Sequence, residues 1–159
     1  MPFHCIYHPP NLYTPSDKNA IAKAITKIYT QEPNEDHPFS PGLPPFLVVI
    51  NFIQVGQDDF YVGGEPNQNF VRIIVQHHAT HAPTYQRKRD FIEQYEKAID
   101  PYTSGKGIDW ELSISNEDPI SWNTNGIHPP PHLSDAHFVW KKLNKPVEWD
   151  KESGASSEP

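Results

Sequence analysis

The sequence predicts an α/β fold of two βαβ units in tandem, and three observations carry that prediction. Short β-branched and aromatic runs alternate with stretches whose apolar residues recur at helical spacing. Their order reads strand, helix, strand, then strand, helix, strand, with matching lengths in the two halves and no residue-level repeat between them. The chain has 159 residues, enough to bury the core of one compact domain and cramped for two.

The elements follow in order. Residues 3–8 (FHCIYH) alternate and are rich in strand formers, and Pro9-Pro10 ends them. Thr14-Pro15-Ser16 offers capping side chains and a first-turn proline, and Ile21, Ala24, Ile25 and Ile28 then mark a helix to Thr30. Residues 31–45 (QEPNEDHPFSPGLPP) form a long proline-rich loop with the character of a lid. Residues 46–55 (FLVVINFIQV) read as a strand buried on both faces. A short strand ending in a turn is expected over 60–64, and a strong one over 70–77 (FVRIIVQH). A second helix follows Pro83-Thr84 with Phe91, Ile92, Tyr95, Ala98 and Ile99 on one face and Pro101 as its stop. Residues 104–107 make a turn before the last main strand, 110–115 (WELSIS). Beyond Pro119 the chain is irregular until a capped helix at 134–143. The expected divisions are a domain over 1–130, an extension with a short helix over 131–149, and a disordered polar tail over 150–159.

Proline is the compositional anomaly: 18 of 159 is about 11%, against a usual value of about 5%. There is no Gly-X-Y period, so collagen is excluded, and the prolines cluster between periodic segments instead of forming a rod. The net charge of −7, without a dense Lys/Arg block, disfavours nucleic acid and anionic membranes as partners. The single cysteine, Cys5, cannot form an internal disulfide, no apolar run approaches membrane-spanning length, and the start MPFHCIYHPP lacks signal-peptide character. A cytoplasmic protein is expected.

Met-Pro followed by a strand, then LYTPSDKNAIAKAIT, VVINFIQ and YVGG, is similar to the tautomerase superfamily, within it to the cis-3-chloroacrylic acid dehalogenase-like group, and in wording most like the fungal branch. The resemblance covers roughly residues 2–130 and is more specific in the amino-terminal half. It implies a tandem βαβ tautomerase-like fold, with a four-stranded mixed sheet and two helices on one face, here carrying a C-terminal extension. It also implies a homotrimer, a small-molecule substrate, no cofactor, and chemistry at an amino-terminal proline exposed when Met1 is removed.

Pro2 is therefore the leading candidate for catalysis. A free amino-terminal proline is a secondary amine whose basicity is set near an ordinary α-amino group, at a pKa of about 7.7–8.0, and burial lowers it. Such an amine can abstract a proton beside a carbonyl or add to one. Where the family's arginines hold a substrate carboxylate, the matching positions carry His78 and His81; where a glutamate activates water, Asn125 stands. A family histidine falls on Tyr29, and a tyrosine falls on Ile114, or on Leu112 if the register slips. Histidine is mostly neutral at pH 7 where arginine is always charged, so carboxylate binding is weakened, and Asn125 cannot act as a base. The resulting set is Pro2, Tyr29, His78 and His81 as catalytic candidates, with Asn125 and Trp122 as substrate-binding candidates. His77, His78 and His81 also admit a metal-ligand reading, which needs that segment to be helical; substrate-facing or solvated histidines are preferred and no metal is assigned. Trp110 reads as core packing, and Arg72 as a strand charge that needs a partner. Three functions follow: a tautomerase or isomerase with Pro2 as base; a hydratase, dehalogenase or decarboxylase of small unsaturated acids with Pro2 as acid; or a non-catalytic binding relative that kept the fold.

Overall fold

The computed structural model describes residues 1–32, 34, 40–78 and 84–150. Both βαβ units are present. The first comprises β1 (Pro2–His8), α1 (Pro15–Thr30) and β2 (Val49–Gln54), and a small hairpin follows, made of β3 (Tyr61–Val62) and β4 (Glu65–Pro66). The second comprises β5 (Phe70–His77), α2 (Tyr85–Ile99) and β6 (Asp109–Asn116), and α3 (Asp135–Leu143) comes last. The main sheet runs β2-β1-β5-β6, parallel within each unit and antiparallel where β1 meets β5, so β1 and β5 are its central strands.

Alternation decides which side chains face the helices. Pro2, His4, Ile6 and His8 of β1 are buried, as are Val71, Ile73, Val75 and His77 of β5, and the register pairs Pro2 with His77, His4 with Val75 and Ile6 with Ile73. Ile21, Ile25 and Ile28 of α1 and Tyr95 and Ile99 of α2 close this face into one core. The opposite face carries Phe3, Tyr7, Val49, Ile53 and Ile74, all half-buried, beside an exposed Arg72–Glu111 ion pair at 2.8 Å. That pair is the partner the strand charge called for.

The helices begin where the side chains demand it. The Thr14 hydroxyl accepts from the Asp17 amide at 3.1 Å, and the Asp17 carboxylate accepts from the Thr14 amide at 2.9 Å, a reciprocal box that satisfies two otherwise orphaned donors. Asp17 also receives Lys106 at 2.6 Å, and these hydrogen bonds hold its carboxyl well below the usual carboxylate range. Thr84 caps α2 by accepting from the Arg87 amide. Ser134 caps α3 in the same way, accepting from His137, and left-handed Asn144 ends that helix.

One strand expectation is corrected. Residues 46–55 do not form one doubly buried strand: Pro44 and Pro45 set a 3₁₀ turn at Pro45–Leu47, β2 starts only at Val49, and it is an edge strand with β1 on one side, so its residues are exposed or half-buried. The short strand ending in a turn expected over 60–64 is present as β3, turned by Gly63 and Gly64, both at positive φ (63° and 91°), and it pairs in an exposed hairpin with Glu65–Pro66. Residues 131–149 pack back onto the chain start. Trp140, buried, donates to the Val147 carbonyl at 2.8 Å, and Trp149 donates to that of His128 at 2.8 Å. Leu47, Trp122 and Trp140 with Met1, Phe46 and Val147 make a second apolar cluster there. Residues 33, 35–39, 79–83 and 151–159, which include His81, Pro83 and most of the expected tail, lie outside the described residues. No helix among the described residues is long and apolar enough to cross a membrane.

Burial pushes the imidazole of His4 down to about 3 and that of His77 down to about 4, with their mutual charge as a smaller cause for His4. Both are neutral in the fold but titrate near 6.5 when unfolded. The unfolded chain therefore gains protons first as pH falls, and stability present above about pH 6.5 is lost towards pH 4. Each imidazole accounts for on the order of 1–2 kcal/mol at pH 5. A melting temperature at least about 5 °C lower at pH 5 than at pH 7.5 is expected in calorimetry.

Candidate active site

Proline lacks the amide donor a central strand uses and is tolerated there chiefly at the first residue. Pro2 occupies that first position of β1, buried, opposite His77. Met1 precedes it, with a carbonyl that accepts from the His78 amide at 3.0 Å and lies 3.1 Å from His78 Nδ1. The His78 carbonyl in turn accepts from Trp122 Nε1 at 3.1 Å. The ladder thus extends one residue past the strand and anchors the chain start between β5 and the 119–122 turn. Burial pushes the Met1 amine down to about 5 from its ordinary value of 8.0.

Beneath Pro2 lies a buried group of aromatic and imidazole rings. Tyr29 Oη and His77 Nε2 are 2.8 Å apart, and His4 Nδ1 and Tyr95 Oη are 3.0 Å apart. His4 and Tyr29 meet edge to face at 5.4 Å between centroids, and Phe91 packs on both Tyr29 and His77. Burial raises both phenols far above their usual range and lowers both imidazoles, so the group is uncharged at neutral pH and its hydrogen bonds join neutral partners. Met1 also lines a cavity of about 240 Å³, with Leu47, Trp122, His137, Trp140 and several prolines; Pro2, Tyr29, His77 and His78 stand one layer back, outside that lining.

Pro2, Tyr29, His78 and Trp122 are therefore gathered at one place, Tyr29 acting through His77 and Trp122 through the His78 carbonyl. Asn125 is not brought there: it is an exposed turn residue at φ 51° within the Thr124–Ile127 bridge, outside the cavity lining. His81 lies outside the described residues, and among the described residues no three His, Cys, Asp or Glu side chains gather as a metal site. Sequence reasoning missed the roles of His77, His4 and Tyr95. Their signal was an imidazole at the inward phase of two central strands, His4 in FHCIYH and His77 in FVRIIVQH, which demands a buried partner.

Two βαβ units in one four-stranded mixed sheet, with proline opening a central strand, define a tautomerase-like fold. Residues 1–145 match the Tautomerase_3 model, described as "Putative oxalocrotonate tautomerase enzyme", and the chain belongs to that family. Native RhCC from Rhodococcus jostii RHA1 is similar at 34% identity, covering 92% of this chain and 99% of its own, with a TM-score of 0.84. A protein of the thermophilic fungus Aspergillus fumigatus is similar at 32% identity, covering 94% of this chain and 98% of its own, with a TM-score of 0.84. At 18% identity a fused 4-OT, a symmetric trimer, shares the fold over 86% of this chain and 98% of its own, with a TM-score of 0.59. Comparison with curated protein sequences gives no match.

Replacing Tyr29 with Phe removes one partner of a buried pair and strands His77 Nε2. The expected cost is about 1–3 kcal/mol, measured as a lower urea midpoint with an unchanged m-value.

Proposed function

We propose that this chain is a cofactor-independent tautomerase or isomerase in which the Pro2 amine, freed by removal of Met1, is the general base on an enol or unsaturated carbonyl substrate. The observation that carries this is the position of Pro2: the buried first residue of a central strand, one residue from a cavity, where burial already lowers the pKa of an amine. An amine there is a free base at neutral pH, as abstraction of a proton beside a carbonyl requires. Pro2 takes the proton of the enol hydroxyl or the α-carbon and returns it to the other end of the enol system. No electrons leave the substrate, so the step itself calls for no cofactor.

The family's hydrolytic branch needs a group that activates water. Asn125, at the matching position, is an exposed turn residue, which favours proton transfer over hydration or dehalogenation. Removal of Met1 also vacates apolar space beside Trp122 and Leu47, so the same cleavage that creates the base enlarges its pocket.

Intact mass is expected to lack Met1; a retained Met1 with no turnover makes the chain a binding relative instead. On phenylenolpyruvate, Pro2→Ala is expected to lose at least about 100-fold in kcat, and equal rates overturn the proposal. Because only the unprotonated amine acts, kcat/KM should rise with pH through an amine pKa that burial holds below the ordinary α-amino value, as it does for the Met1 amine one residue away, and should level off below pH 8. An acid limb centred near 8 would mean an ordinary, solvated amine.

For assembly we propose a homotrimer. Its support is the uncovered sheet face of Phe3, Tyr7, Val49, Ile53 and Ile74, together with the trimeric fused 4-OT of the same fold. Sedimentation velocity should give three times the chain mass, and Tyr7→Glu on that face should release monomer.

A further inference from the structure

Residues 131–149 supply one wall of the cavity at the chain start: His132, His137, Trp140 and Trp149 face Met1 and Trp122. Within that wall His137 stands out. It is 4% exposed, and neither of its ring nitrogens has a hydrogen-bond partner. His4 and His8 also carry an unpaired buried nitrogen, but each uses its other one, His4 with Tyr95 and His8 with the Pro9 carbonyl. Among the described residues His137 alone is a buried imidazole unpaired at both positions. Its neighbours do not satisfy it: His132 packs edge to face at 5.0 Å with its Nε2 engaged by the Pro41 carbonyl at 2.7 Å, and Phe138 offers a ring. The nearby Glu32 and Lys141 are paired with each other. Buried polar groups are nearly always hydrogen-bonded, and an exception calls for a use.

The remaining lining limits what that use is. It consists of aromatic, aliphatic and proline side chains with His128 and His132, and it holds no Arg, Lys, Asp or Glu among the described residues. A substrate carboxylate has no counter-charge there. Burial holds His137 down at about 4, so at neutral pH it offers one N–H and one lone pair without a charge. Those two functions match a carbonyl oxygen and an enol hydroxyl. At about 240 Å³ the cavity exceeds the roughly 150 Å³ that accepts benzene in a protein interior, which leaves room for an aryl ring and a short keto-enol side chain.

We propose that the 131–149 segment completes the substrate pocket and that His137 binds the oxygen of an uncharged aryl ketone or its enol, with the aryl body against Trp122 and Trp140 and the reactive carbon towards Pro2. This rests on the reading of Pro2 as base, deepens it to a substrate class, and makes the segment after Pro130 part of the site.

Calorimetric titration with phenylacetone, which has no carboxylate, and with phenylpyruvate, which has one, tests this without any turnover. Phenylacetone is expected to bind no more than about threefold weaker than phenylpyruvate, and His137→Phe to weaken both about five- to tenfold, the loss of one hydrogen bond. The same variant removes an unsatisfied buried group, so its melting temperature is expected to hold or rise, whereas a purely structural imidazole would lower it. In the wild-type protein, phenylacetone should also shift the His137 ring-nitrogen resonances. Unchanged affinity in His137→Phe, unshifted resonances, or phenylpyruvate binding more than tenfold tighter than phenylacetone would each overturn the proposal. Failure of the base reading shows separately, as unaltered turnover in Pro2→Ala with the binding results intact.

Discussion

A proline opens a central strand of the sheet, and the rest of the site depends on that constraint. β1 has β2 on one side and β5 on the other, so its first residue cannot trail into solvent. Pro2 is fixed by its pairing with His77, and the ladder is carried one step further by the Met1 carbonyl and the His78 amide. A terminus held this way is buried, and an amine placed there loses basicity through desolvation with no charged neighbour needed. The two-residue period of the strand then puts Pro2, His4, Ile6 and His8 on the helix side together, which sets imidazoles directly behind the start of the chain.

Those imidazoles tie the helices to the sheet. Tyr29 of α1 reaches His77 of β5, and Tyr95 of α2 reaches His4 of β1, so each helix places one phenol against one central strand. Such pairs contribute about 1 kcal/mol net when made and cost more when halved. They therefore specify how the helices sit more than they stabilise the fold. The ion pairs act elsewhere: Arg72–Glu111 lies exposed on the open face, and Lys106–Asp17 joins the cap of α1 to the turn before β6. Exposed pairs of this kind contribute little, and the fold rests on the apolar face.

The element order, the N-caps and the strand period were legible because they follow from local chemistry: alternation in FHCIYH and FVRIIVQH puts Ile6, Val71 and Val75 on the inward face. The limits of β2 were not, because the first five residues of FLVVINFIQV are all apolar and hydrophobicity cannot reveal that prolines 44 and 45 divert the first of them into a turn. The exposure of Asn125 was not legible either, because it depends on a left-handed backbone inside the Thr124–Ile127 turn that residue types alone do not specify. His137 was invisible for a different reason. In SDAHFVWKKL it looks like a polar helix residue, and only the packing of Trp140 and Val147 shows that its face turns inward. The tautomerase resemblance pointed to Pro2, but its polar positions did not transfer, since the groups that surround Pro2 here are histidine and tyrosine.

That replacement changes what the pocket can sustain. Burial leaves His4, His77 and His137 neutral near pH 7, and it lowers the amine at the chain start as well. A site with permanent cations can bind a carboxylate and keep it bound, whereas an uncharged aromatic site disfavours any lasting charge. When an amine base takes a proton in such surroundings, the ammonium and the enolate it creates are stable only as each other's partner. Returning the proton to the substrate erases both charges at once; releasing it to solvent leaves the enolate without a counter-ion. Such a pocket therefore shortens the life of the ion pair and directs the proton back to another atom of the same molecule. That outcome is the isomerisation proposed above, in which the desolvation that lowers an amine's basicity also keeps the proton from leaving.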